Sequence, residues 1–243
     1  MRAPALLGDL ADLVLPSGCA GCGAERVRLA YGVCAECVTL LEALRPFRTA
    51  PAPSPPGLPR CVAVGPYQGP LRGALLAYKE RGRHRLARPL GVLLASAVAA
   101  LAPGRGPVTL VPVPSTAAAA RERSGDHMVR LAGQAVRRLR AAGWEARVAR
   151  PLRALPRPDS AHLDVAGRRA AAESSLRIRC GRMPFSGHGG RGRGTLVVVD
   201  DIVTTGATLA AAACRLEEAN MQVAGAAVLA ATRLRRATPG AFA

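Results

Sequence analysis

Residues 195–209, TLVVVDDIVTTGATL, limit the possible folds of this chain more than any other stretch. The apolar, mostly β-branched run at 196–199 reads as a strand buried on both faces. It is followed by two adjacent carboxylates, Asp200 and Asp201, and by a short turn of hydroxyls and glycine: Thr204, Thr205, Gly206, Ala207 and Thr208. An alanine-rich helix is expected from about residue 209 to 219. A strand tip, a small-residue turn and a helix N-terminus together make an anion site, because free backbone N–H groups converge there and the helix dipole favours negative charge. Carboxylates do not bind phosphate. They accept hydrogen bonds from sugar hydroxyls or hold a hard cation such as Mg²⁺. The pattern therefore asks for a phosphorylated sugar. The plainer reading is a buried strand whose acid caps the next helix, but a cap uses one acid and needs no Thr-Thr-Gly. No G-x-x-x-x-G-K-[ST] phosphate loop occurs. The glycine-rich run at 187–194 precedes its strand, so it reads as a loop and not as a dinucleotide fingerprint.

Four of the seven cysteines form a second pattern. Cys19-x-x-Cys22 and Cys34-x-x-Cys37 bracket the insert 23–33. Two such pairs complete a tetrahedral thiolate shell, which selects Zn²⁺ or, less often, iron. A redox motif would need one pair beside a βαβ unit, and a disulfide framework would need a secretion signal. The expectation is a closed, structural zinc site. Cys61, Cys180 and Cys214 are scattered and read as small hydrophobes or inert thiols. His84, His127, His162 and His188 show no ligand spacing.

Composition sets the remaining bounds. Hydrophobic residues make up 49% of the 243 residues, enough for a core, but only 3% are aromatic, so that core must be built from Ala, Val and Leu. The net charge is +18, and Lys79 is the sole lysine. GC-rich coding accounts for arginine over lysine, but not for the sign of the balance. A surface this positive attracts polyanions, and with so few aromatics any contact with single-stranded DNA would be electrostatic and salt-sensitive. The longest apolar run, 89–103, is about 15 residues, short of the ~20 of a spanning helix. It reads as a buried helix, and the chain as cytoplasmic.

Strand and helix signals alternate along the chain. Strands are expected near 62–64, 108–113, 145–148 and 223–229, with helices at 6–15, 87–102 and 129–142. This order predicts an α/β fold with a parallel sheet and ligands at the strand C-terminal ends, where Ser115, Thr116 and the acid pair fall. The expected divisions are a helix and zinc module at 1–50, a proline-rich linker at 51–60, the main domain at 61–235 and a tail at 236–243.

Residues 196–209 resemble the phosphoribosyl pyrophosphate (PRPP) motif of type I phosphoribosyltransferases. That resemblance implies that Asp200 and Asp201 hold the ribose hydroxyls and that 204–208 wrap the 5′-phosphate. The cysteine module, Tyr67-Gln-Gly-Pro-Leu-Arg72, Tyr78-Lys79, and Val111-Pro-Val-Pro114 with Arg121 and Arg123 make the whole chain similar to the ComF family, linked to DNA uptake. The resemblance implies a pyrophosphate side at Ser115, Thr116, Arg121 and Arg123. It also implies Mg²⁺ carried with PRPP, partners from the competence machinery, and either transfer to an unidentified acceptor or non-catalytic sensing of PRPP. Arg123-Ser-Gly-Asp-His127 and Arg169-Ala-Ala-Ala172 depart from the family's Arg-Gly-Phe-Asn and Arg-x-x-Asn. Prolines replace its second cysteine pair, which leaves Cys61 alone.

Overall fold

The structure, a computed structural model, describes residues 18–102, 104, 106–122, 125–155, 175–179 and 194–232. The helix expected at 6–15, the glycine run before Gly194, Arg123, the 169–172 segment, Cys180, His162 and His188 lie outside these residues.

The first pieces belong to the cysteine module. β1 (Leu29–Ala30) and β2 (Val33–Cys34) form a tight antiparallel hairpin, and α1 (Ala35–Glu42) follows directly. β3 (Phe47–Thr49) then pairs antiparallel with β4 (Cys61–Pro66) at one edge of the main sheet. Next come α2 (Gly69–Glu80), a single 3₁₀ turn at His84–Leu86, α3 (Ala87–Leu101), β5 (Val108–Pro112) and α4 (Ala117–Glu122). The chain continues through α5 (His127–Ala141), β6 (Ala146–Val148), the small hairpin of β7 (Leu152–Ala154) and β8 (Leu176–Ile178), β9 (Thr195–Val203), α6 (Ala207–Glu218) and β10 (Gly225–Ala231).

The main sheet has six strands in the order β3-β4-β10-β9-β5-β6, parallel except at β3. This is the expected parallel sheet with flanking helices, with β3 added as an antiparallel edge. Its central strands are continuous apolar runs because both faces are covered: all seven residues of β10 are buried. One face carries α2, α3 and α5 over Val62, Leu110, Val197 and Leu229. The other carries α6 and the β7–β8 hairpin over Ala63, Val111, Val198 and Val228. α5 shows why helix and sheet fit. Met128, Leu131, Ala132, Ala135, Val136 and Leu139 are buried at helical spacing, while Arg137, Arg138 and Arg140 are exposed. Each fully buried Leu or Met of that stripe stabilises the fold by about 1.5–3 kcal/mol. The Asp126 carboxylate accepts from the backbone N–H groups of Met128 and Val129, which fixes where α5 begins.

The topology also places a crevice. From β5 the chain goes outward to β6 through α5 on one face. From β9 it goes the other way, to β10, through α6 on the opposite face. β5 and β9 are neighbours, so the connections diverge between them and leave an opening at their C-terminal ends. β5 accompanies β9 only as far as Val199, whereas β10 continues alongside it to Val203. Beyond Val199, β9 is therefore flanked on one side alone.

Candidate functional site

The acid pair sits where β9 outruns β5. The sequence pattern suggests that the strand ends at the acids, but it continues through both to Val203. In extended chain successive side chains point to opposite sides, so the two carboxylates part company. Asp201 turns to the face that carries α2 and α5 and is 5% exposed. Its Oδ2 lies 2.7 Å from Lys79 Nζ at the end of α2 and 3.4 Å from His127 Nε2 at the start of α5. Neither contact has hydrogen-bond geometry, so among the described residues Oδ2 and Nε2 are both buried without a hydrogen-bond partner. The other ring nitrogen of His127, Nδ1, is 3.2 Å from Ser115 Oγ, and the Tyr78 hydroxyl donates to the His127 carbonyl at 2.8 Å. The loop after β5 is thus joined to Asp201 through one imidazole. Sequence reading found no role for Lys79 or His127. Lys79 carried two signals, as the only lysine in a chain that otherwise uses arginine and as part of the Tyr78-Lys79 segment.

Asp200 keeps some exposed surface as a residue, but protein atoms crowd its carboxyl. Its Oδ1 accepts from the Asp201 backbone N–H at 2.9 Å. The two acids titrate in opposite directions. Burial, followed by the Asp201 charge, pushes Asp200 well above the usual carboxylate range. Burial also opposes ionisation of Asp201, but the His127 imidazole and the Lys79 ammonium outweigh it and hold that carboxyl well below the range. On the other side of the sheet Cys61 is buried, and burial with the Asp200 charge pushes its thiol up to about 12, an inert group.

The turn after β9 joins the strand directly to α6. Thr204 is exposed, Thr205 and Thr208 are half-buried, and Gly206 and Ala207 are buried. The Thr205 hydroxyl accepts from the Ala207 backbone N–H at 3.4 Å. Gly206 has φ 74°, left-handed backbone that a Cβ would strain, and a Cβ there would come within 3.1 Å of Leu58 and Pro51. The proline-rich segment therefore packs against the turn. α6 begins two residues earlier than its alanine pattern suggests, at Ala207, so the hydroxyl turn runs straight into the helix N-terminus. Across the crevice Ser115 and Thr116 are half-buried, and Arg121 is exposed in the last turn of α4.

The four cysteines form a separate centre. Their sulfurs all lie within 4.8 Å of one another. A tetrahedral zinc–thiolate shell with bonds of about 2.3 Å has sulfur–sulfur edges of about 3.8 Å. Cys22 Sγ and Cys34 Sγ stand 3.8 Å apart. The backbone N–H groups of Gly21 and Cys34 donate to Cys19 Sγ at 3.4 and 3.2 Å. Burial of Cys19 opposes the thiolate, but backbone hydrogen bonds at Cys22, Cys34 and Gly21 prevail and lower its pKa to about 6. Burial and the three neighbouring sulfurs push Cys37 the other way. Four thiolates this close do not all ionise without a cation among them, so the donor set fits Zn²⁺. Cys214, outside this centre, is exposed, and its thiol donates to Glu218 at 3.4 Å.

The centre is built into the core of the main sheet. Cys19, Cys34 and Cys37 belong to the same apolar cluster as α2 and α3. Arg83 donates to the carbonyls of Gly18 and Gly32 at 2.7 and 3.3 Å. A Cβ on Gly73 of α2 would meet the Gly21 carbonyl oxygen at 2.3 Å, so only glycine allows this approach of helix to knuckle.

Residues 186–240 match the phosphoribosyl transferase domain family. The matched stretch spans β9, the hydroxyl turn, α6 and β10. No curated protein matches the chain. With the mostly parallel sheet and its crevice at β5 and β9, this makes the chain phosphoribosyltransferase-like, with an N-terminal four-cysteine cluster.

Proposed function

We propose that this protein binds Mg²⁺–PRPP in the crevice between β5 and β9 and transfers its phosphoribosyl group to an acceptor. The observation that carries the reading is the continuous path from the acid pair through the hydroxyl turn into the N-terminus of α6, at a topological switch point. The 5′-phosphate would lie on the amides and hydroxyls of Thr204, Thr205, Gly206, Ala207 and Thr208. The ribose hydroxyls would donate to Asp200 and to Asp201. Mg²⁺ would arrive with the pyrophosphate and offset its charge. Transfer of this kind passes through an oxocarbenium-like state, so the chain's task is positioning and charge stabilisation. Ser115 and Thr116 would face the leaving pyrophosphate. His127 holds the Ser115 hydroxyl in place and Lys79 neutralises Asp201, so both act as positioning residues. Arg121 and Arg123 are the proposed cations of that side.

The likeness to the ComF family adds a second proposal, a role in DNA uptake with single-stranded DNA as a partner. Exposed Arg137, Arg138, Arg140, Arg147, Arg150 and Arg153 favour it. Arg140 and Arg147 each donate one Nε–H to a neutral protein oxygen, which leaves their charge in place.

The test is a thermal shift. At an excess of about 100 times Kd, binding to the native state adds about 2.7 kcal/mol. Mg²⁺–PRPP should raise Tm accordingly. Asp200→Asn with Asp201→Asn should abolish the shift while circular dichroism stays native. Gly206→Val should abolish it too, since a β-branched side chain resists φ 74° and crowds Leu58. Thr208→Ala should weaken it less. Absence of any shift in the wild type, or an equal shift in the double Asn variant, would make the turn a structural joint only.

A further inference from the structure

A second anion-seeking feature lies away from the acid pair. A cleft of about 830 Å³ opens between the β1–β2 hairpin, the first turn of α3 and the outer side of α5. That volume falls in the range of about 300–1,000 Å³ typical of small-molecule sites. Among the described residues twelve line it; five are arginines, Arg85, Arg88, Arg130, Arg137 and Arg138, and none is a carboxylate. Coding bias scatters arginines over a surface, but it does not gather them around one cavity. Five arginines around one cavity set up a positive field that draws in ligands of opposite sign.

Among the described residues, the cleft has one tyrosine ring besides the His84 imidazole. Tyr31, at the tip of the hairpin, lines it and is 47% exposed, with the Arg88 guanidinium 4.8 Å from the ring centroid. A nucleic-acid strand draws affinity from successive stacking platforms. One ring beside a cluster of arginines fits one base and a chain of phosphates. His84, on the wall, accepts from Arg130 Nη1 at its Nδ1, 2.8 Å away. In the neutral ring the proton then sits on Nε2, a further donor. A smaller cleft of about 670 Å³ adjoins through Tyr31, Gly32, His84 and Arg85, which gives the ligand room to extend.

We propose that this cleft binds a nucleoside polyphosphate, with its phosphates among Arg85, Arg88, Arg130, Arg137 and Arg138 and its base against Tyr31. The site is distinct from the PRPP crevice but shares an element with it. α5 begins with His127 beside Asp201 and reaches the cleft at Arg130, about 4.5 Å of helix rise further on.

Titration calorimetry with ATP at low salt tests the proposal. ATP should bind the wild type, adenosine should not, and inorganic triphosphate should bind more weakly than ATP. Arg88→Ala with Arg137→Ala should weaken ATP on the order of tenfold, as two charge-assisted contacts go. Tyr31→Asn suits the φ of 53° at that position and removes only the ring, so it should cost about fivefold or more, the lower end of base–aromatic stacking. Asp200→Asn with Asp201→Asn should leave ATP binding intact, which separates this site from the PRPP crevice whatever the fate of that reading. Lack of ATP binding in the wild type would overturn the proposal. So would unchanged affinity in both cleft variants, triphosphate binding as tightly as ATP, or an oligonucleotide held by these residues where ATP is not.

Discussion

At the scale of single residues, the two neighbouring acids act on stability in opposite senses. The native pKa of Asp201 is depressed, so its contribution is present above the unfolded value of about 3.9 and is lost as pH falls through the native one. The native pKa of Asp200 is raised, so its contribution is present below about 3.9 and is lost as pH rises through the native value. Asp200→Asn should therefore stabilise the ligand-free protein at neutral pH, and Asp201→Asn should destabilise it there and flatten the acid limb. Chemical denaturation of each variant across acid to neutral pH measures both effects, and like-signed effects at neutral pH would contradict the assignment. A carboxylate whose charge destabilises the empty fold gives a reason to look for its partner in a ligand.

At the scale of elements, the four-cysteine knuckle is coupled to α2. Purified protein should carry about one Zn²⁺ per chain, as a closed Cys₄ site requires, and Cys22→Ser should lose it. Metal analysis of protein prepared without chelators checks this. Because binding energy at such a site is folding energy, chelation should deprotect the amides of residues 18–44 in hydrogen exchange. It should also loosen α2, whose Gly73 lies against the carbonyls of Ala20 and Gly21. β9 and β10, at the centre of the sheet, should stay protected. Deprotection confined to the knuckle would show that the helix contact carries no coupling.

For the whole molecule, the net charge of +18 governs long-range encounters. Binding to single-stranded oligonucleotides should fall steeply with salt, with a log–log slope of about −0.7 for each phosphate neutralised, and should vary little with sequence. Fluorescence anisotropy over a salt series measures it, and a flat series would remove the electrostatic reading. The same scale separates what the sequence fixes from what folding decides. The strand–turn–helix around Gly206, the cysteine set and the alternation of strands with helices are local: each lies in the spacing of a few neighbouring residues. Most boundaries shift by a residue or two and the end of β9 by four, because strand ends depend on partners. β9 outruns its apolar run only because β10 continues beside it. Lys79, Ser115, His127 and Asp201 come from four separate stretches, and no local pattern joins them. They meet because the sheet order β3-β4-β10-β9-β5-β6 sets β5 beside β9, with α2 and α5 over the same face. The same packing turns Leu58 and Pro51, in a stretch that reads as a linker, against the glycine of the turn. It also gathers arginines from three elements around one tyrosine. Side-chain spacing determines each element by itself. Which element lies against which depends on burial summed over the whole chain, and that decides the company each functional residue keeps.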